Sequence, residues 1–171
     1  MRDLNLEHCR LLVVGINPGL VSEAVDAPFA RPGNRFWPAL HAAGITDSLI
    51  DARSGLTPAH LAELRRVGLG FTNLVPRATA VASKLSREEY EEGGRVLEEK
   101  VARHGPQIVM VAGIGAYRLA YRRPRARVGL QPTSIGGAET WVVPNPSGLN
   151  AHETVHSLAR AYREVWEHLY R

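Results

Sequence analysis

Apolar positions recur along this chain in two periods, and the alternation between them predicts its elements. Residues 11–16 (LLVVGI) form a continuous apolar run closed by Asn17-Pro18-Gly19, the pattern of a strand buried on both faces and stopped by a turn. Similar runs at residues 69–74 (LGFTNL), 107–112 (QIVMVA) and 140–143 (TWVV) predict three more strands. Between the strands the spacing is helical. Asn34 is a suitable N-cap for a helix over residues 35–43, and Thr57-Pro58 opens another with proline at its first position. Ser86-Arg87-Glu88-Glu89 is a capping-box pattern that starts a long helix reaching about His104. Gly93-Gly94 inside that helix would weaken it in isolation, so close packing is expected there. A short helix over residues 116–122 follows Gly113-Ile114-Gly115. The last helix runs from about His152 to the C-terminus, with Val155, Leu158, Ala159, Tyr162, Val165, Trp166 and Leu169 on one face.

Strands alternating with helices predict an α/β fold in three α/β/α layers around a short, mainly parallel, four-stranded sheet, one domain over residues 1–171. Ligands of such sheets bind beyond the carboxyl ends of the strands. The segments GINPG, TNLVPRAT, AGIG and PNPSG are expected to converge there. The stretch between the first strand and Asn34 reads as a loop of about fifteen residues, longer than a simple connection needs and hence a candidate active-site floor.

Composition narrows the class. With 44% hydrophobic and 22% charged residues over 171 positions, the chain suits a single globular domain with a substantial core. Its one cysteine, Cys9, excludes a disulfide framework and a cysteine-based metal site, and fits a reducing compartment. The apolar run after the charged N-terminus is too short for a signal peptide or a membrane span, so a cytoplasmic protein with no membrane partner is expected. The net charge of +4 leans towards a polyanion, although only two of the cations are lysines, Lys84 and Lys100. Arg122, Arg123, Arg125 and Arg127 form the densest cluster, readable as a solvated loop or as a set of phosphate contacts.

Two motifs lead elsewhere. Gly113-Ile114-Gly115 lacks the third glycine of a dinucleotide fingerprint, since Arg118 stands in its place, and the chain has no Walker lysine, so no nucleotide cofactor is expected. His152-Glu153-Thr154-Val155-His156 has the form H-E-x-x-H, a zinc-hydrolase pattern. A third ligand is wanting: His168 would lie roughly 18 Å further along the same predicted helix and Glu164 about 12 Å. No metal is expected, and Glu153 reads as a favourable charge at a helix N-terminus.

GINPGLVSEAVDAPFARPGNRFW, from Gly15 to Trp37, resembles the first motif of the mismatch-specific uracil-DNA and thymine-DNA glycosylases. Asn145-Pro146-Ser147-Gly148-Leu149-Asn150 resembles their second, and the likeness continues through GFTNLVPRAT and the last helix. The resemblance implies the α/β/α sandwich of the uracil-DNA glycosylase superfamily. It also implies excision of uracil, or a related damaged or mismatched pyrimidine, by hydrolysis of the N-glycosidic bond, without a cofactor. The implied partner is double-stranded DNA, bound by a monomer. Asn17 matches the asparagine that positions water, and Phe29 the aromatic that stacks on the flipped base. Ile16, Gly19 and Ser22 fall in the base-binding set, with backbone N–H groups near Ile16 and Phe29 serving the base carbonyls and Ser22 limiting room for its 5-substituent. Asn145 to Asn150 match the segment that contacts the orphan base, with Gly148 and Leu149 as the wedge that fills the gap. Arg77 is a candidate phosphate contact.

Asn150 and Ala151 stand where related bacterial enzymes carry a small polar residue and an arginine, which leaves the opposite-base preference open. Glu23 and Asp26 bring carboxylates into the first motif, and Asp26 is a candidate supplement to Asn17, polarising water or supporting the cationic sugar. Two other functions compete: a nucleic-acid-binding module without catalysis, and a zinc hydrolase using His152, Glu153 and His156.

Overall fold

The computed structural model describes residues 1–170. Its sheet has the order β2-β1-β3-β5-β4, formed by Leu11–Gly15 (β1), Leu69–Asn73 (β2), Ile108–Ala112 (β3), Gly129–Leu130 (β4) and Glu139–Val143 (β5). The first four strands in that order run parallel; β4 pairs antiparallel with β5. The predicted four strands are all present, and β4 is a fifth. Its two residues carry no alternation that a sequence pattern could reveal, and only pairing with β5 makes them a strand.

β1 is buried on both faces. Leu11 and Val13 point into one core with Phe36, Trp37, Leu40, Phe71, Met110 and Tyr162. Leu12 and Val14 point into another with Tyr90, Leu97, Val101, Val111 and Tyr117. This two-residue period explains the unbroken apolar runs and produces the three layers. Helices Leu20–Val25 (α1), Phe36–Ala42 (α2), Pro58–Val67 (α3) and Val155–Leu169 (α6) account for the first side. Arg87–His104 (α4) and Ile114–Tyr121 (α5) cover the second.

Local chemistry sets the helix ends. Thr57 and Ser86 close capping boxes at α3 and α4, with His60 and Glu89 as the reciprocal partners. The predicted closeness at Gly93-Gly94 is present: a Cβ on Gly93 would stand 2.1 Å from the Leu74 carbonyl oxygen, and one on Gly94 2.9 Å from that of Ala120.

Most boundaries shift by a residue, α5 starts at Ile114 within the expected Gly113-Ile114-Gly115 turn, and two differ more widely. The stretch after Asn17 is not a long loop, because Leu20–Val25 is helical; six residues are too few for a periodic signal against the flanking turns. The last helix starts at Val155, capped by the Thr154 side chain, rather than near His152. His152 therefore precedes the helix that carries His156, and Glu153 accepts a hydrogen bond from Ser157 Oγ. The H-E-x-x-H stretch thus lacks the helical geometry that would align its histidines. Among the described residues no three His, Cys, Asp or Glu side chains converge as a metal site.

Candidate active site

At the carboxyl ends of the parallel strands lies a cavity of about 410 Å³, lined by Asn17, Ser22, Phe29, Asn73, Asn145 and Leu149 among others. Three of the four segments expected to converge there, GINPG, TNLVPRAT and PNPSG, line it, whereas AGIG contributes only Ala112. Among the described residues no carboxylate lines the cavity, and Arg31 is its only charged side chain.

Asn17 is fixed by its amide hydrogens. Nδ2 donates to the Arg77 carbonyl and to Thr79 Oγ1, both at 2.8 Å. The carbonyl can only accept, and Thr79 Oγ1 donates its own hydrogen to the Val81 carbonyl at 2.8 Å, so the amide cannot be reversed without breaking the chain of bonds. Asn17 Oδ1 is left without a protein donor among the described residues, as an acceptor in a site built from this residue. Pro18 continues the brace, since its carbonyl accepts from the Thr79 N–H at 3.1 Å. Thr79, buried and carrying no signal of its own in the sequence, is thus the residue that orients Asn17.

Phe29 has a φ of 53°, a left-handed conformation that is a true outlier for a bulky side chain and costs about 1–3 kcal/mol. Its neighbours hold it there. The Pro28 carbonyl accepts from Trp37 Nε1 at 2.9 Å, and the Ala30 N–H donates to Ser22 Oγ at 3.0 Å. The ring stacks on Phe36 at 4.1 Å between centroids, backed by a fully buried partner. Ser22 consequently has a structural duty besides lining the cavity. The N–H groups of Ile16 and Phe29 have no protein acceptor among the described residues, and Gly19 lines the same wall.

Asn73, at the end of β2, pairs in register with Gly15, and a Cβ on Gly15 would stand 2.6 Å from Asn73 Oδ1. Glycine at position 15 is what lets this polar side chain reach the cavity. The sequence pattern marks the segment without singling out Asn73. Its place at a strand's carboxyl end is the one signal that could have found it.

The Asn145-to-Asn150 segment is rigidly built. Asn145 Oδ1 accepts from the Ser147 N–H, Asn150 Nδ2 donates to the Asn145 carbonyl, and Ser147 Oγ accepts from the Leu149 N–H. Arg35 straps it from outside: its N–H donates to the Pro146 carbonyl at 2.9 Å, and its guanidinium to the carbonyls of Ser147 and Asn150 at 3.1 and 3.0 Å. Gly148 packs so tightly on Gly33 that a Cβ would stand 2.6 Å from the Gly33 carbonyl oxygen. Leu149 nevertheless remains 69% exposed, an apolar tip on a braced loop.

Two expected site residues are engaged elsewhere. Asp26 caps the end of α1 in a left-handed conformation and binds the backbone N–H of Arg2 at 2.7 Å and its guanidinium at 2.8 Å. The hydrogen bond from the Arg2 N–H, against a smaller cost of burial, holds its carboxyl below the usual carboxylate range. Asp26 does not line the cavity, because the helix over Leu20–Val25 turns it away, and Glu23 pairs with the Met1 ammonium. Arg77 directs its guanidinium to Glu89, with Nε to Oε1 at 2.7 Å, and to the Lys84 carbonyl. Its carbonyl, not its charge, faces the site.

The chain matches the uracil DNA glycosylase superfamily over residues 1–170. A solved structure, the solution NMR structure of a Methanosarcina acetivorans protein provisionally described as a uracil DNA glycosylase, shares the fold. It superposes with a TM-score of 0.63 at 22% identity, over 100% of this chain and 97% of that one. A match along nearly the whole chain leads to one conclusion: the protein belongs to the uracil DNA glycosylase superfamily.

Proposed function

We propose that the protein is a monofunctional DNA glycosylase of base-excision repair that removes uracil, and related damaged or mismatched pyrimidines, flipped out of duplex DNA. The observation that carries this reading is the orientation of Asn17, whose Oδ1 is left as a free acceptor in a cavity that no described carboxylate lines. In the reaction the C1′–N1 bond breaks with its electron pair passing to the pyrimidine, and the oxygen of a water adds to the cationic C1′. The released proton neutralises the departing base. Asn17 Oδ1 accepts a hydrogen bond from that water and holds it in line, a contribution of position rather than basicity. Phe29 offers a flat face to the base. Donors at Ile16 and Phe29, joined by the Asn73 amide, bind its carbonyl edge and stabilise the negative charge it acquires on leaving. A carboxylate in the cavity would oppose that charge, and the described residues place none there.

Leu149 is exposed on a loop whose shape is fixed in advance, which suits a wedge entering the duplex as the base leaves. Asn150 has its side chain committed to the Asn145 carbonyl and the His152 N–H, so contacts to the orphan base fall to backbone groups of the loop.

A glycosylase assay over duplexes carrying uracil, thymine and damaged pyrimidines opposite guanine or adenine tests the proposal. Free uracil released over many turnovers, with an alkali-labile abasic site and no strand cleavage by the protein itself, is the expected result. Binding without release would leave a nucleic-acid-binding module, and loss of release on chelation would point to metal-dependent hydrolysis.

A further inference from the structure

The molecule carries a basic feature outside the cavity. Arg123, Arg125 and Arg127 line a concave strip of about 450 Å³ with Val128, Leu130 and Gln131 along the β4 edge of the sheet. Their neighbour Arg122 is neutralised by Glu91, and ion pairs also occupy Arg2, Arg53, Arg66, Arg77 and Arg95. Among the described residues these three have no carboxylate partner, and all three are exposed.

The backbone beneath them is braced. Arg118 donates to the Ala126 carbonyl through Nε at 2.8 Å and a terminal nitrogen at 2.6 Å. The Ala126 N–H closes a turn onto the Arg123 carbonyl, and Gln131 Nε2 holds the carbonyls of Arg127 and Gly129. Three free guanidiniums thus stand in a row on a fixed backbone, so ordering them on an anion costs side-chain freedom but little backbone freedom.

The sheet register says where the row leads. Gly129 pairs with Val142 and Leu130 with Trp141 in the antiparallel sense, so the chain just before Gly129 lies towards the carboxyl end of β5. That is the end from which Pro144 continues into the Leu149 loop. β4 stands three strand positions from β1, about 15 Å at roughly 4.8 Å per strand. At about 3.4 Å per nucleotide this equals about four or five steps along a DNA strand.

We propose that Arg123, Arg125 and Arg127 bind DNA backbone phosphates on one side of the lesion, about four or five nucleotides from the flipped base. The inference rests on the reading of the protein as a DNA glycosylase and adds to it a flanking contact. The row fixes the protein on the duplex through phosphates, which carry no sequence information, and contributes affinity that falls steeply with salt.

The test replaces all three by alanine and measures duplex affinity against salt concentration, using a duplex of about 30 base pairs and versions shortened to about three base pairs beyond the lesion on either side. The expected result is a log–log salt slope shallower by about two to three, at roughly 0.9 for each phosphate that the variant no longer neutralises. Single-turnover excision at saturating enzyme should remain within about twofold of wild type. Shortening one side, and only that side, should abolish the difference between variant and wild type. Arg65→Ala, on α3 beside the opposite edge strand, should leave the slope unchanged. Equal slopes for the triple variant and wild type would overturn the proposal. If light scattering then showed the variant aggregating, the arginines would be guards of an exposed sheet edge instead. Wild-type protein that releases no base from any duplex would overturn the glycosylase reading itself, a separate outcome.

Discussion

At the scale of single residues, the site is governed by which atom of a side chain is left over after the protein has used the rest. Asn17 gives both amide hydrogens to the Arg77 carbonyl and Thr79 and leaves its oxygen without a protein donor among the described residues. Asn17→Ala should lower single-turnover uracil excision by about a hundredfold or more while duplex affinity stays within a few-fold, because the loss falls on positioning the water. Thr79→Val keeps the shape but removes one acceptor for the amide; an intermediate loss in single-turnover rate, again with little change in affinity, is expected. Unchanged rates in both would remove Asn17 from the water. Arg35 and Leu149 form a second pair. Leu149→Ala should impair excision of paired uracil far more than of uracil in single strands, since only the duplex has a gap to fill. Both contacts of the Arg35 guanidinium come from Nη1, and a lysine ammonium stops short of that position, so Arg35→Lys should weaken both and show the same bias. In the double variant the losses on duplex should be less than multiplicative, because both act through one loop tip. Independent losses would separate Arg35 from the wedge.

At the scale of elements, the long helix α4 controls the segment between β2 and itself. Its capping residue Glu89 binds Arg77, and the Arg77 carbonyl binds Asn17, so a helix start on the second face of the sheet reaches Asn17 in two steps. The Arg77 hydrogen bond, followed by that of the Ser86 N–H, lowers the Glu89 carboxyl from an ordinary 4.5 to about 2. A folded-state value below the unfolded one gives stability that is complete above about pH 4.5 and is lost as pH falls towards about 2. Glu89→Gln should therefore weaken the protein at neutral pH, flatten part of its acid dependence over that interval, and slow excision by loosening Asn17. Denaturant unfolding followed from neutral pH down through that acid interval reads the first two effects. Gly93 marks the same packing from the other side. Gly93→Ala forces a methyl against the Leu74 carbonyl and should cost about 1–3 kcal/mol in unfolding measurements, with excision reduced because Leu74 follows Asn73 directly. A neutral effect would mean that α4 can shift away from β2 freely.

At the scale of the whole molecule, the sequence determined the layers and the end of the sheet where the cavity lies. The runs at β1 and β3 are apolar on both faces, the caps at Thr57 and Ser86 are local hydrogen-bond patterns, and Asn-Pro turns stop strands wherever they occur. These features act over a few residues, so they can be read from a few residues. The tertiary structure alone decided the rest. It made a strand of Gly129–Leu130 by pairing, turned Asp26 to Arg2 and Arg77 to Glu89, and brought Thr79 beneath Asn17 across 62 positions of chain. It also set Arg35 against carbonyls more than a hundred residues away. No pattern announces these contacts, because a side chain's role depends on the partner that folding delivers. A carboxylate or a guanidinium carries the same charge in the sequence whether folding leaves it free for a substrate or closes it on a neighbour, and only the distance between the two decides which.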